Sequence, residues 1–174
     1  SKKYKNLPVK GICFDSRKAK KDYIFFAIEG NKISGSKFIK DAISKKVSAI
    51  ISSKNVKIYN SKIPVIKVDD VRSSLALACS KFYKLKPDFI VAVTGTNGKS
   101  SVANFFFQLF KLNNRPVASI GTLGIESTFS KKQTNLTSPD PLFLHENLSK
   151  LKKRKINTVI LEASSHGLDQ KRLN

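Results

Sequence analysis

The chain has 174 residues, 40% of them hydrophobic, and carries 33 Lys and Arg against 12 Asp and Glu, a formal charge of +21. That length fits one large domain or two small ones, and the hydrophobic share is enough for a packed core, which excludes global disorder. No stretch approaches the ~20 apolar residues of a membrane span, and no apolar run follows the polar start as in a secretory signal, so a cytoplasmic location is expected.

Val9–Cys13 reads as a first strand, and the aromatic, β-branched run Tyr23–Ile28 as a stronger one. Gly30, Gly35 and their polar neighbours make a loop. Phe38, Ile39, Ala42, Ile43 and Val47 then recur at near-helical spacing, which predicts an amphipathic helix over Lys37–Lys46. Ala49–Ile51 and Pro64–Val68 read as strands, and Val71–Tyr83 as a helix. Pro87 disfavours helix in the residue before it, which sets a domain boundary: residues 1–86, then 87–174.

The second domain opens with a strand over 89–94, a glycine-bounded loop and a helix over 99–112. Pro116–Ile120 is a further strand, followed by Gly121 and Gly124. Thr137–Pro141 marks a loop into a helix near 141–154, with Ser138 as its expected cap and Pro139 early in the helix. Thr158–Leu161 is a continuous apolar run that suits a buried parallel strand. The alternation of strand and helix predicts α/β layers on a parallel sheet, with ligands at the carboxyl ends of its strands.

Chemistry concentrates in Thr94-Gly95-Thr96-Asn97-Gly98-Lys99-Ser100-Ser101. Glycines let backbone amides close around a phosphate, and the helix behind them points its positive end at the anion. Lys99 can neutralise the β- and γ-phosphates while the Ser100 hydroxyl joins a Mg²⁺ shell. The general pattern has four residues between the first glycine and Gly-Lys; here only Thr96 and Asn97 intervene. A plain strand-to-helix turn with an exposed lysine would also use these glycines. The order strand, glycines, Lys-Ser, helix favours a nucleoside triphosphate site.

Glu162 follows directly on the 158–161 strand. A carboxylate at that edge commonly completes a Mg²⁺ site with the loop hydroxyl; pairing with a surface lysine is the plainer reading. Ala163–Arg172 is dense in donors and acceptors and reads as a polar substrate loop. Its Ala-Ser-Ser-His lacks the Gly-x-Ser-x-Gly elbow, which argues against a nucleophilic serine. For His166, a structural hydrogen bond and a ligand contact both stand. Asp15-Ser16-Arg17 and Gly30-Asn31-Lys32 follow strands and, on composition, are ordinary turns.

The lysines are dispersed apart from Lys152-Lys153-Arg154-Lys155, without zinc-finger or aromatic RNA-binding motifs, so a solvated surface is favoured over a nucleic-acid footprint. Cys13 and Cys79 stand alone and are expected to be buried free thiols. Methionine is absent, position 1 included, so trimmed ends are expected.

Taken together, Asp15-Ser16-Arg17, Tyr23–Gly30, the Thr94–Ser100 loop, Leu136-Thr137-Ser138-Pro139-Asp140, and Leu161–Leu168 with Gln170 and Arg172 resemble the Mur ligase family of peptidoglycan synthesis. The phosphate loop is common to Mur ligases and folylpolyglutamate synthases; Glu162-Ala163-Ser164-Ser165-His166-Gly167-Leu168 is the narrower signal. The resemblance implies a small amino-terminal α/β UDP-binding domain, then the first part of a Rossmann-like ATPase domain. It implies ATP-dependent amide formation through an acyl phosphate, adding the third residue, meso-diaminopimelate or lysine, to a UDP-N-acetylmuramoyl dipeptide.

By the same resemblance Gly95, Thr96, Asn97, Gly98, Lys99, Ser100 and Ser101 hold ATP, with Lys99 and Glu162 catalytic and Ser100 and Glu162 on Mg²⁺. Phe14, Ser16, Asn31, Lys32 and Ile33 hold the UDP end of the substrate. Thr137, Ser138, Ser164, Gln170 and Arg172 contact its muramoyl side. The implied partners are the UDP-muramoyl dipeptide and a free amino acid, with a monomeric protein and neither membrane nor nucleic acid. Family members are much longer, so residues 1–174 alone are not expected to ligate. Another Mur ligase, a folylpolyglutamate synthase, or a non-catalytic basic module binding nucleotides or nucleic acid are the alternatives.

Overall fold

A computed structural model describes residues 7–30, 34–58, 61–132 and 139–173. The chain divides into two compact units, Ser1–Ala78 and Cys79–Asn174. Among the described residues no helix is long and apolar enough to cross a membrane.

In the first unit, strands β1 (Gly11–Cys13), β2 (Tyr23–Phe26), β3 (Ala49–Ser53) and β4 (Val65–Val68) form a parallel sheet in that order. A methyl group on Gly11 would lie 2.5 Å from the Tyr23 ring, so the ring's seat on β1 requires glycine there. Cys13, Phe25, Ala27, Ile39, Ala42, Val47 and Ile50 make the core. β2 stops at Phe26, short of the expected Ile28, because the chain turns: the Ile28 amide donates to the Phe26 carbonyl at 3.0 Å. The expected helix over 37–46 resolves into a 3-10 turn, Gly35–Phe38, and helix α1, Ile39–Ser44. Helix α2, Val71–Phe82, closes the unit and carries the division between Ala78 and Cys79.

The second unit holds β5 (Phe89–Val93), helix α3 (Lys99–Leu112), β6 (Val117–Gly121), β7 (Gly124–Ser127), β8 (Ser130–Lys132), helix α4 (Pro141–Lys153), β9 (Thr158–Glu162) and helix α5 (Ser165–Asp169). The sheet order is β5-β9-β6-β7-β8. β5, β9 and β6 run parallel, while β7 and β8, which were not expected, extend the sheet with antiparallel pairing and leave β8 at its edge. The Ser127 hydroxyl accepts from the Ser130 amide at 3.1 Å and closes the turn between β7 and β8.

Leu144, Leu148 and Leu151, at helical spacing on α4, pack with Ala118, Ile120, Ile156, Val159 and Leu161. The cap of α4 corrects the expectation: Asp140, not Ser138, accepts from the Phe143 amide at 2.9 Å, and Pro141 rather than Pro139 takes the first helical position. Aspartate caps as well as serine, and proline at that position sacrifices no intrahelical bond. The polar stretch after β9 is likewise not all loop, since α5 forms within it. β5 lies at the sheet edge with Phe89, Ile90 and Val91 exposed, and α3 turns Val102, Phe105, Leu109 and Leu112 to solvent.

Candidate functional site

Strand β5 delivers the chain into the loop 94–98, and α3 begins at Lys99. Gly98, at φ 77°, caps α3 in the left-handed conformation, where a Cβ would meet nothing within 4 Å. Glycine is needed there for its backbone angles and not for space. The Lys99 ammonium donates to the Gly95 carbonyl at 2.6 Å and the Thr96 carbonyl at 3.2 Å. It is thus held over the mouth of its own loop.

One residue further on, the Ser100 hydroxyl donates to Glu162 Oε2 at 2.8 Å. Glu162 is the last residue of β9, and its side chain is buried. Pairing of β5 with β9 sets Glu162 opposite Val93, the last residue before the loop. From the other side the Thr122 amide donates to Oε1 at 3.1 Å and the Thr122 hydroxyl to Oε2 at 3.0 Å. An open hollow of about 300 Å³ is lined by the loop residues Thr96–Ser101 with Thr122, Glu162 and Ser164. A hydroxyl beside a carboxylate at this opening is a hard-oxygen donor pair that suits Mg²⁺, which keeps waters and substrate phosphates as its other ligands. Glu162 accepts from Ser100 and from Thr122, so its carboxylate is engaged at the loop.

Ser164 caps α5, accepting from the Gly167 amide at 3.1 Å, and still borders the hollow. His166 is exposed on α5. Past α5, Arg172 donates to Gln170 Oε1 through Nε at 3.0 Å and Nη2 at 2.6 Å, so these two predicted substrate residues are tied to each other.

Phe14 and Ser16 lie in the first unit. The Asp15-Ser16-Arg17 turn is more organised than composition suggested. Asp15 accepts from the Arg17 amide at 3.0 Å and from its guanidinium at 2.8 Å, and the Arg17 side chain holds the Asp15 carboxyl below its usual range. Ser16 is buried, and its carbonyl accepts from the Lys45 ammonium at 2.6 Å. The Ser16 side chain, then Lys45, lowers the pKa of Asp41. Asn31, Lys32, Ile33, Thr137 and Ser138 lie outside the described residues. Sequence reasoning missed Thr122; its signal was a Gly-Thr pair directly after the apolar strand ending at Ile120.

Residues 8–83 match the Mur ligase family, catalytic domain, and residues 93–174 the Mur ligase middle domain. A UDP-N-acetylmuramoyl-L-alanyl-D-glutamate--2,6-diaminopimelate ligase of Brucella melitensis is 42% identical over 168 residues, 97% of this chain and 34% of its own length. The ligase of the same name from Rickettsia conorii is 42% identical over 169 residues, 95% of this chain and 35% of its own. A solved structure of a ligase with that name superposes with a TM-score of 0.80 at 31% identity, over 96% of this chain and 34% of the other. A MurF ligase from Thermotoga maritima in complex with ADP shares the fold, with a TM-score of 0.61 at 23% identity, over 92% of this chain and 33% of the other. The chain therefore spans about a third of the length of the relatives it matches. Two consecutive domain matches, a common fold and a glycine-bounded loop facing a buried glutamate agree: this chain belongs to the Mur ligase family.

Proposed function

We propose that these residues form the substrate-binding domain and the first part of the ATPase domain of a ligase that uses ATP to join diaminopimelate to UDP-N-acetylmuramoyl-L-Ala-D-Glu. The observation that carries this reading is the 2.8 Å contact of Ser100 with buried Glu162 at the mouth of the phosphate loop. The names of the similar ligases support diaminopimelate over lysine. A functional boundary at 86/87 is supported by domain matches that end at 83 and resume at 93.

Each residue's role follows from its chemistry. Loop amides from Gly95 to Ser101, at the positive end of the 14-residue helix α3, surround the polyphosphate. Lys99 exchanges its loop carbonyls for phosphate oxygens, which are stronger acceptors because they are charged. Ser100 and Glu162 hold Mg²⁺, which neutralises charge on the transferring phosphoryl group when bound. Phe14, Ser16 and residues 31–33 take the UDP end; Thr137, Ser138, Ser164, Gln170 and Arg172 take the muramoyl side. The substrate carboxylate attacks the γ-phosphorus, ADP leaves, and the amine then displaces phosphate from the acyl phosphate. Much of the rate comes from holding carboxylate and phosphate together.

Titration calorimetry on the full-length protein tests the reading. Binding of Mg²⁺–ADP and of the UDP-muramoyl dipeptide, both little changed by salt, is expected. Affinity for arbitrary oligonucleotides that falls steeply with salt, in place of these, overturns it in favour of a basic nucleic-acid module. Residues 1–174 by themselves are expected to form no tripeptide.

A further inference from the structure

We propose that Thr122, with the clearance left by Gly121, is the positioning residue that aims the Glu162 carboxylate at the metal-binding side of the phosphate loop. The inference rests on the nucleotide reading above and adds to it the contacts that Glu162 makes with the turn after β6.

A glutamate at the end of a strand has three side-chain torsions, and burial alone does not choose among their rotamers. Here the choice is made by the turn that joins β6 to β7. Gly121 and Gly124 are antiparallel partners, so Thr122 and Leu123 form a two-residue hairpin turn, with Gly124 at φ 98°. A turn this short fixes the Thr122 backbone. β6 also pairs with β9, with Ile120 opposite Leu161, which brings the turn level with Glu162.

From that fixed point Thr122 grips both carboxylate oxygens. Its amide donates to Oε1 at 3.1 Å and its hydroxyl to Oε2 at 3.0 Å. Oε2 is also the oxygen that accepts from Ser100 at 2.8 Å. Two donors from one residue set the plane of the carboxylate, and that plane presents Oε2 to the Ser100 hydroxyl. Gly121 makes the arrangement sterically possible. A methyl group there would fall 2.2 Å from Oε1 and 2.6 Å from Cγ of Glu162, so any side chain at 121 must move the carboxylate. Hydrogen-bond partners that orient a metal ligand commonly govern affinity for the metal. Thr122 touches neither phosphate nor metal in this account; it acts through Glu162.

The test uses the full-length protein and ADP, titrated by calorimetry once with Mg²⁺ and once with EDTA. Thr122→Val keeps the backbone amide and the shape but removes the hydroxyl. It is expected to lose about tenfold in the Mg²⁺-dependent part of ADP affinity, with affinity in EDTA within about twofold of the parent. Thr122→Ser, which restores the hydroxyl, is expected to recover to within about threefold, and Gly121→Ala to lose at least as much as Thr122→Val. Melting temperatures report folding, and Thr122→Ala replaces the valine variant if that one does not fold. A parent protein whose ADP affinity ignores Mg²⁺ overturns both the nucleotide reading and this inference. A parent that depends on Mg²⁺, beside a Thr122→Val protein with the same dependence, overturns this inference alone.

Discussion

Val93 and Glu162 face each other across the β5–β9 pair, and the next residue, Ala163, donates its amide to the Val93 carbonyl at 2.8 Å. One strand ends in the glycine-bounded loop and the other ends in the acid, and parallel pairing in register places those two ends side by side. A slip of one residue would turn Glu162 to the other face of the sheet, because side chains alternate along a strand. The site therefore depends on the same register that buries Val159 and Leu161.

Lys99→Ala removes a cation whose visible bonds go to its own loop, so stability is expected to change by less than about 1 kcal/mol. Nucleotide affinity in the full-length protein is expected to fall by at least about tenfold, and ligation to be lost, because a charge-assisted bond to phosphate disappears. Calorimetry with ADP and product assays check both outcomes. Unchanged turnover would remove Lys99 from the phosphate site.

Burial pushes the Cys13 thiol up from 9.0 to about 11, with Asp15 adding to the shift, and burial pushes Cys79 up to about 12. A raised pKa means the folded state holds the proton more tightly than the unfolded chain. The stabilisation is thus complete below pH 9 and is lost as pH rises toward 11 for Cys13 and 12 for Cys79. At about 1.4 kcal/mol per pH unit, Cys13 alone accounts for a loss on the order of 2 kcal/mol. Urea midpoints at pH 8 and above pH 10 measure it, and Cys13→Ala should flatten the alkaline slope. Fast alkylation of both thiols in native buffer at pH 8 would contradict their burial.

Asp140→Ala should destabilise the second unit by about 1 kcal/mol, the usual cost of an N-cap lost to alanine. The bond at stake is the one from the Phe143 amide at 2.9 Å. Asp140→Asn keeps an acceptor oxygen and should retain most of that stability. Urea unfolding followed by helical circular dichroism distinguishes the two variants.

Phe105 and Leu109 are 71% and 60% exposed on α3, on the same face as Val102 and Leu112. An uncovered apolar stripe of this kind promotes association. Residues 1–174 are expected to bind a hydrophobic dye and to self-associate at high concentration. Phe105→Ser with Leu109→Ser should reduce both, with little change in melting temperature, because neither side chain is in the core. Dye fluorescence and gel filtration decide the matter.

The elements legible from sequence share a physical property: their pattern is local. β5 is an unbroken apolar run, β3 and β9 hold the apolar runs Ala49–Ile51 and Val159–Leu161, and α3 and α4 repeat their apolar residues at helical spacing. The β7–β8 hairpin escaped because Glu126, Ser127 and Ser130 look like loop, and edge strands need only one covered face. α5, at five residues, is too short to show a period. Within the site, the loop and Glu162 could be read because each sits beside a recognisable strand. Thr122 shows in the sequence only as a Gly-Thr pair after an apolar strand, and that β6 pairs with β9 and so carries Thr122 to Glu162 is not local information.

By itself the sequence determined the α/β class, the glycine-bounded loop that leads into a helix at Lys99, and the family resemblance, because glycine angles, apolar runs and residue chemistry are properties of short segments. Only the tertiary structure decided that Glu162 meets Ser100 on one side and Thr122 on the other. Those contacts join residues far apart in the chain, and strand order and register alone bring such residues within hydrogen-bonding reach.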